Sequence, residues 1–272
     1  MRKNLIFAVL IMALSALSLA SCSKETTSPE VVLSEEVLGP CLVRITATLP
    51  KDNTVTDDFL KITLKPTYSF ATNKEKDGKM QILLTDLTPD QLYTYTALYI
   101  KDGVYYNLPE RSFKTPDLSK DPVDMGVSVQ WASCNLGANN SYELGSSYTW
   151  EEARNCTTDA GWRLPTRAEY EELVEQCFWG WIQYHSVYGL TATSISTNNT
   201  IFFPASSVNP GIPSGYYWTS SPADNEEVYV FQSVNGMIML SMDASEGLRA
   251  IPNGHGLHSI PFNDKAFLRP VH

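Results

Sequence analysis

Two groups of residues in this sequence could carry chemistry: five cysteines and a set of closely spaced aromatic side chains. Cys22 follows the small residues Ala20 and Ser21 at the end of an apolar stretch, Leu5–Leu19, and basic residues precede that stretch. This order is typical of a secretory signal peptide, here residues 1–21. The apolar stretch is shorter than the roughly 20 residues that a bilayer span needs, so we expect it to be cleaved.

The order Leu19-Ala20-Ser21-Cys22 resembles the lipobox of bacterial lipoproteins. The resemblance implies that Cys22 receives lipid and begins the mature chain, with residues 22–30 forming the lipidated cysteine and a tether. Buried acyl chains contribute about 0.8 kcal/mol per CH₂, which would hold the protein on the bacterial outer membrane. Lys24-Glu25 resembles the surface-export signal of Bacteroidetes lipoproteins, which implies exposure at the cell surface. The alternative is an ordinary cleaved signal with an incidental cysteine.

The remaining cysteines do not have the spacing of a zinc site, because no C-x-x-C occurs and the histidines are scattered. An exported protein can keep disulfides. Four cysteines permit three full pairings, and the sequence leaves the pairing open. Buried thiols or one structural disulfide are the states expected for Cys41, Cys134, Cys156 and Cys177.

No other segment predicts a metal site or a catalytic centre. Asp224–Glu227 offers oxygen ligands of the kind that calcium prefers, but four polar residues in a loop usually form only a loop. His255 and His258 lie near His272 in a Gly-rich tail. The G-x-S-x-G, Walker and H-E-x-x-H motifs are absent from the sequence. We therefore predict no catalytic residue, no metal and no cofactor.

Aromatic residues are the best candidates for a ligand site. Tryptophan and tyrosine combine an apolar face with a hydrogen-bonding edge, which suits sugar or protein partners. Core packing is the alternative for each of them, and we favour it for Tyr217 and Trp218 and also for Trp179 and Trp181. The ligand-binding candidates are one cluster after a predicted helix and one residue of a later cluster, namely Trp179, Trp181, Tyr184, His185, Tyr188 and Tyr216.

Composition excludes further classes of function. A hydrophobic content of 43% with 11% aromatic residues is typical of a globular protein and not of a disordered one. The formal net charge of −10 would repel phosphate backbones, so we predict no nucleic-acid partner. The same charge disfavours adhesion to anionic lipid, which leaves the N-terminal lipid as the predicted contact with the membrane.

Residues 31–116 read as a small β domain. Val43–Leu49 and Tyr93–Tyr99 alternate apolar with polar residues, as half-buried strands do. Asp102-Gly103 is a hairpin turn signal. Leu87-Thr88-Pro89 followed by Tyr93 resembles the tyrosine corner of fibronectin type III domains, and the resemblance implies an all-β sandwich. A proline- and aspartate-containing linker, 117–122, follows.

Residues 123–272 carry a series of separate motifs. Thr166 and Glu169 form a predicted capping box, and an apolar helical stripe at Tyr170, Leu173, Val174 and Cys177 follows it. Thr149 and Glu152 repeat the box. The acidic helix face of Glu171, Glu172 and Glu175 is expected to be solvated. The motifs are Val123–Ala132, Cys134–Ala138, Tyr148–Ala153, Gly161–Thr166, Glu169–Leu173, Ile201–Ala205, Gly215–Ser221 and Leu268–Val271.

In this order the motifs resemble the Fibrobacter succinogenes major paralogous domain, which is common in Bacteroidetes surface lipoproteins. That family belongs with the C-type-lectin-like and formylglycine-generating-enzyme-like folds. The resemblance implies a multi-domain chain, in which the fibronectin III/Ig-like sandwich precedes an α+β C-type-lectin-like domain over 123–272. Calcium-dependent lectins of this fold use Glu-Pro-Asn or Gln-Pro-Asp triplets and Trp-Asn-Asp, and neither occurs here.

These resemblances imply a non-enzymatic, lipid-anchored surface protein that binds a glycan or protein ligand through its C-terminal domain. A pilus or adhesin assembly subunit is the alternative. A divergent enzyme of the formylglycine-generating type is a third reading. Such enzymes need reactive cysteines late in the chain, and no cysteine follows Cys177.

Overall fold

The computed structural model describes most of the chain after residue 29. The predicted signal peptide, Cys22 and the tether up to residue 29 lie outside the described residues, as do Asp224 and Asn225. The described ranges are 30–49, 59–65, 69–70, 75–76, 79–101, 103–156, 161–206, 213–223, 226–234, 239–243, 247–251 and 255–272.

Two antiparallel sheets form the N-terminal part. The strands are β1 (Val32–Gly39), β2 (Leu42–Thr48), β3 (Phe59–Lys65), β4 (Ser69–Phe70), β5 (Glu75–Lys76), β6 (Lys79–Leu84), β7 (Leu92–Lys101) and β8 (Val104–Lys114). One sheet has the order β1-β2-β6-β5 and the other the order β4-β3-β7-β8. Apolar residues of both sheets share one buried cluster, so this part is a β-sandwich.

The predicted alternation places the sandwich core correctly. Along β7 the side chains of Tyr93, Tyr95, Ala97 and Tyr99 are all buried, as expected when every second residue of a strand faces the core. The predicted tyrosine corner is also confirmed, since the backbone N–H of Thr88 donates to the Tyr93 hydroxyl at 2.8 Å.

The C-terminal part is also mainly β. Its elements are β9 (Val123–Asp124), β10 (Gln130–Trp131), α1 (Trp150–Arg154), α2 (Arg167–Glu175), β11 (Cys177–Tyr184), β12 (Val187–Ser194), β13 (Thr200–Pro204), β14 (Ser214–Pro222), β15 (Glu227–Val234), β16 (Met239–Asp243), β17 (Gly247–Ile251) and β18 (His255–Pro261). Three-stranded sheets β11-β12-β13 and β14-β15-β18 stand beside the hairpins β9-β10 and β16-β17. The predicted α+β lectin-like architecture is not confirmed at this level, because the described residues contain only two short helices.

Both helices begin at the predicted capping boxes. The Thr166 side chain accepts from the Glu169 N–H at 3.2 Å, and Glu169 accepts from the Thr166 N–H at 2.7 Å. Thr149 and Glu152 form the same reciprocal pair. The apolar stripe of α2 buries Tyr170 and Leu173. Cys177, which was predicted to continue the stripe, is buried as the first residue of β11 instead.

The last seven residues thread through the C-terminal part and connect its segments. The Ala132 N–H donates to Pro270 O and the Leu136 N–H to Leu268 O, each at 2.9 Å. Arg163 and Val271 exchange two backbone hydrogen bonds of 2.9 Å. Segments distant in the sequence are thus closed around residues 266–272.

Arg269 lies at the centre of this closure and is completely buried. Its guanidinium donates to Asn135 Oδ1 at 2.9 Å, to the Ala132 carbonyl at 3.1 Å and to the Phe202 carbonyl at 2.6 Å. It also lies 5.2 Å from the centroid of the Phe203 ring. Within the described part of the chain no carboxylate pairs with it, and burial lowers the pKa of Arg269.

Four thiols are free in the described residues, and two of them, Cys41 and Cys177, are buried. The expected states were buried thiols or one structural disulfide, and the structure shows thiols. Burial raises the pKa of Cys177 to about 12, so this thiol stays protonated at neutral pH and is unreactive. No helix among the described residues has the length and apolar character that a membrane crossing requires.

The N-terminal sandwich packs directly against the sheet β11-β12-β13. A Cβ added at Gly39 would lie 2.3 Å from the carbonyl oxygen of Asn198, and one at Gly180 would lie 2.0 Å from Asp86 Oδ1. The buried Cys41 thiol of the sandwich lies beside Thr193 and Thr200 of this sheet. Backbones and side chains of the two parts therefore approach as closely as in a protein interior.

Replacing Tyr93 with phenylalanine should test the tyrosine corner. The Thr88 N–H would lose its acceptor, which costs about 1 kcal/mol of unfolding free energy. Urea denaturation should show a lower midpoint with an unchanged slope. Tyr105→Phe is the matched control, because Tyr105 is 67% exposed; equal stability of the two variants would contradict the role of the corner.

Replacing Arg269 with alanine should destabilise the protein by about 3 kcal/mol or more, since three buried acceptors lose a charged donor. Arg269→Lys should recover little of this, because lysine lacks the planar fork that reaches three acceptors. Arg154→Ala is the control, as its guanidinium is exposed above Trp150. A thermal midpoint for Arg269→Ala close to that of Arg154→Ala would contradict the assignment.

Candidate functional site

A cleft of about 220 Å³ lies where three segments of the chain converge. They are the connecting segment (residues 117–120), a long loop (residues 133–142) and the turn between β11 and β12. Residues 117–120 form one wall, residues 133–142 a second and the β11–β12 turn a third. The side chains around it are polar or aromatic, with one buried leucine. The lining residues are Asp117, Leu118, Ser119, Lys120, Ser133, Cys134, Asn139, Asn140, Ser141, Tyr142, Tyr184 and His185.

The long loop is held in place by its own polar side chains. Buried Asn135 donates to the Leu144 carbonyl at 2.9 Å and accepts from Arg269. Glu143 accepts from the Asn139 N–H at 2.8 Å and from the Asn140 side chain at 2.9 Å. These hydrogen bonds hold the pKa of Glu143 below its usual range. The loop therefore has a defined conformation before any ligand arrives.

The hairpin turn places a histidine at the mouth of the cleft. Tyr184 pairs with Val187 across the hairpin, which leaves His185 and Ser186 as a two-residue turn. Both residues have positive φ, 47° and 64°, as a type I′ turn requires. Neither is the glycine or asparagine that this turn prefers, so the turn is strained.

The turn brings His185 against Tyr142 of the long loop. The two rings stack with their centroids 4.3 Å apart and an angle of 30° between planes. Tyr184 meets His185 edge to face at 4.5 Å. The three rings form one aromatic wall, although Tyr142 is far from the other two in sequence.

Tyr184 connects this wall to the connecting segment. Its hydroxyl donates to Asp117 Oδ1, which also accepts the Leu118 N–H at 2.8 Å. Burial, and then the Asp117 carboxylate, raise the pKa of Tyr184 far above its usual value, so the phenol remains a donor. Leu118 is buried together with Ile182, which fixes residues 117–118 to the sheet.

The arrangement suits binding. Its polar groups are amides, hydroxyls, one carboxylate, one ammonium group, one thiol and one imidazole, and they lie beside flat aromatic rings. Across the described residues no group of three or more histidine, cysteine or acidic side chains is placed to hold a metal. The lining groups therefore favour a ligand that carries both hydroxyls and an apolar face.

The predicted aromatic candidates divide between the two faces of one hairpin. Trp179 and Trp181 are half-buried and pack against the main core of the C-terminal part. The Trp179 indole N–H donates to the Val174 carbonyl at 3.2 Å. The Trp181 indole N–H is buried, and no partner for it lies within the described residues. These two tryptophans do not line the cleft.

The other predicted candidates have separate positions. Tyr184 and His185 line the cleft. Tyr188 is 42% exposed and lies opposite Gln183, on the face of the hairpin that carries the tryptophans. Tyr216 is half-buried, and its hydroxyl accepts from Gln232 at 3.0 Å. The predicted cluster is thus not one surface, because successive residues of a strand point to opposite faces.

Sequence reasoning missed Tyr142, Asp117 and Asn140. Tyr142 closes the run Asn139-Asn140-Ser141, a polar loop that ends in an aromatic residue. That signal was available, since loops with polar and aromatic residues are typical of binding sites. The sequence did not predict the position of Asp117, because that position depends on how the connecting segment packs on the C-terminal part.

Comparison with known proteins leaves the family open. No protein-family model matches the chain, and neither does any curated protein sequence. The predicted resemblance to the Fibrobacter succinogenes major paralogous domain therefore has no support from a family match.

Solved structures with a weak likeness to this chain include two human fibronectin type III domains and a bacterial adhesin. One human domain is 20% identical over 36% of this chain and 89% of its own, with a TM-score of 0.27. The other is 13% identical over 33% of this chain and 74% of its own, with a TM-score of 0.26. The adhesin InvE of Yersinia pseudotuberculosis is 10% identical over 86% of this chain and 70% of its own, with a TM-score of 0.25. At these values no property of those proteins transfers to this chain.

Ser186→Gly should relieve the strained turn and stabilise the protein by about 0.5–1 kcal/mol, because glycine adopts positive φ without steric cost. The thermal midpoint should rise. Ser147→Gly is the matched control, since Ser147 is exposed and has no positive φ; it should be neutral or slightly destabilising. A lower midpoint for Ser186→Gly would contradict the turn assignment.

Proposed function

We propose that this chain is a non-enzymatic, lipid-anchored protein of the bacterial outer membrane, exposed at the cell surface, which binds a glycan or a protein ligand through its C-terminal part. The cleft formed by residues 117–120, 133–142 and 184–185 is the observation that carries the binding function. The anchor rests on the resemblance of Leu19–Cys22 to a lipobox. A C-type-lectin-like fold for residues 123–272 is part of the proposal and rests on the motif resemblance.

The path of β1 supports display of the C-terminal part away from a membrane. Gly39, at the end of β1, contacts Asn198 of the C-terminal part. Val32, at the start of the same strand, lies seven residues earlier. At about 3.3 Å per residue the strand spans roughly 23 Å. The start of β1 therefore lies about a strand length from the contact of the sandwich with Asn198, which supports display of the C-terminal part away from a membrane.

The thiols give little support to the enzymatic alternative. A formylglycine-generating type of enzyme uses reactive cysteines late in the chain, whereas burial keeps Cys177, the last cysteine, protonated and unreactive. A pilus or adhesin assembly subunit is the other alternative. Its partner would be another subunit of the assembly, whereas the proposed protein binds a glycan or a protein ligand.

Metabolic labelling with an alkyne palmitate should test the anchor. The wild-type protein should incorporate label and sediment with outer membranes. Cys22→Ser should lose both label and sedimentation, because no acyl chain would bind the membrane. Cys156→Ser is the control, since Cys156 is not buried and lies outside the lipobox. Label on Cys22→Ser equal to that on wild type would contradict the anchor.

Cross-linking on intact cells should separate the candidate partners. A membrane-impermeant reagent should capture the protein from outside the cell, which reports surface exposure. Products that contain other proteins in fixed stoichiometry would favour the assembly subunit. Glycan-array binding by the mature chain, with no such product, would favour the ligand-binding protein.

A further inference from the structure

The geometry points to the cleft as a binding site for one ring of a neutral saccharide, with the segment that joins the two parts of the chain supplying one wall. This inference rests on the proposed function, because it names the ligand class and the location of the binding site in the C-terminal part. Tyr142, Tyr184, His185 and Asp117 form the proposed site, and the tryptophans of β11 lie outside it.

The aromatic wall provides a stacking surface on the outer sides of Tyr142 and His185, which are partly exposed, because their inner faces cover each other and Tyr184 is buried. The ring centroids of Tyr142 and His185 lie 4.3 Å apart, and Tyr184 packs edge to face against His185. A pyranose has a face of C–H groups that packs against such rings, while its hydroxyls remain at the rim. The rings are fixed in advance by the turn and by the hydrogen bonds of Glu143, so binding costs little side-chain ordering.

Polar groups of the right kind surround these rings. Asp117 uses Oδ1 for Tyr184 and Leu118, and Oδ2 has no hydrogen bond to any described residue. A free carboxylate oxygen accepts strongly from a sugar hydroxyl. The side chains of Asn139 and Ser141 also line the cleft, and amides and hydroxyls both donate and accept.

The charge and the volume of the cleft limit the class of ligand that it can bind. Asp117 and Lys120 bring one charge of each sign to the rim, so the lining does not select a strongly charged ligand. The formal net charge of −10 disfavours anionic ligands such as phosphates. A volume of about 220 Å³ lies below the ~300–1,000 Å³ typical of sites for drug-sized ligands, which fits one ring of a chain.

The site is composite. The Ser133 hydroxyl donates to the Lys120 carbonyl at 2.8 Å, and Leu118 packs on Ile182. These contacts fix the connecting segment on the C-terminal part. The backbone N–H of Asp90, in the sandwich, donates to the Pro116 carbonyl at 3.0 Å, next to the connecting segment. The sandwich and the segment after it therefore help to shape the site.

Saturation-transfer NMR on the chain from residue 22, carrying Cys22→Ser, tests the inference. The probes are methyl β-D-glucoside, methyl β-D-galactoside, methyl α-D-mannoside and N-acetylglucosamine. At least one should receive saturation, strongest on its ring C–H protons. Tyr142→Ala should weaken its affinity at least tenfold and Asp117→Asn at least threefold. Tyr142→Phe should retain binding, because it keeps the ring.

Controls separate loss of the site from loss of the fold. Tyr105→Ala, on the exposed β7–β8 hairpin, should bind as wild type does. Thermal midpoints of all variants identify any that unfold, and Asp117→Asn keeps the side-chain shape. No saturation of any probe overturns the inference, as does equal affinity of Tyr142→Ala and Tyr105→Ala.

The outcomes distinguish this inference from the proposed function. Suppose that Cys22 is labelled with palmitate and a cell-surface partner is captured, but no sugar probe receives saturation. This result would support the proposed surface protein and reject the cleft as a saccharide site. Saturation that depends on Tyr142, together with failed labelling of Cys22, would keep the cleft and reject the lipid anchor.

Discussion

The buried guanidinium of Arg269 is the constraint on which the C-terminal part depends. A buried charge is tolerated only when its donors are satisfied, and here the acceptors come from separate segments: Ala132 and Asn135 near the start, and Phe202 in β13. Asn135 also donates to Leu144, at the far end of the loop that forms the cleft. The position of this loop thus follows from a charge that must be satisfied in the core.

A second constraint is that the sheet β11-β12-β13 is covered on both faces. One face packs Leu190 and Phe203 into the main core, and the other packs Ile182 and Phe202 against Leu118 of the connecting segment. The hairpin can carry a strained turn because both of its faces are held. The sandwich touches the same sheet, so the two parts of the chain are in direct contact.

The sequence predicted local features well and their assembly poorly. The capping boxes at Thr149 and Thr166 and the corner at Tyr93 depend on neighbours a few residues apart, so spacing alone reveals them. The residues of the aromatic cluster lie on both faces of one hairpin, and the sequence did not predict this division, since periodicity does not say which face of a hairpin lies on the core. The contact of Tyr142 with His185 depends on loop closure across more than 40 residues, which no local pattern encodes.

The turn at His185 and Ser186 links backbone strain to the aromatic wall. Two consecutive residues with side chains at positive φ cost free energy that an Asn-Gly turn would not. A glycine in place of Ser186 would remove part of that cost and leave His185 in position, whereas asparagine in place of His185 would remove the ring that stacks on Tyr142. The cost of the first turn residue is therefore inseparable from the aromatic wall, because the same strained residue supplies the imidazole that stacks on Tyr142.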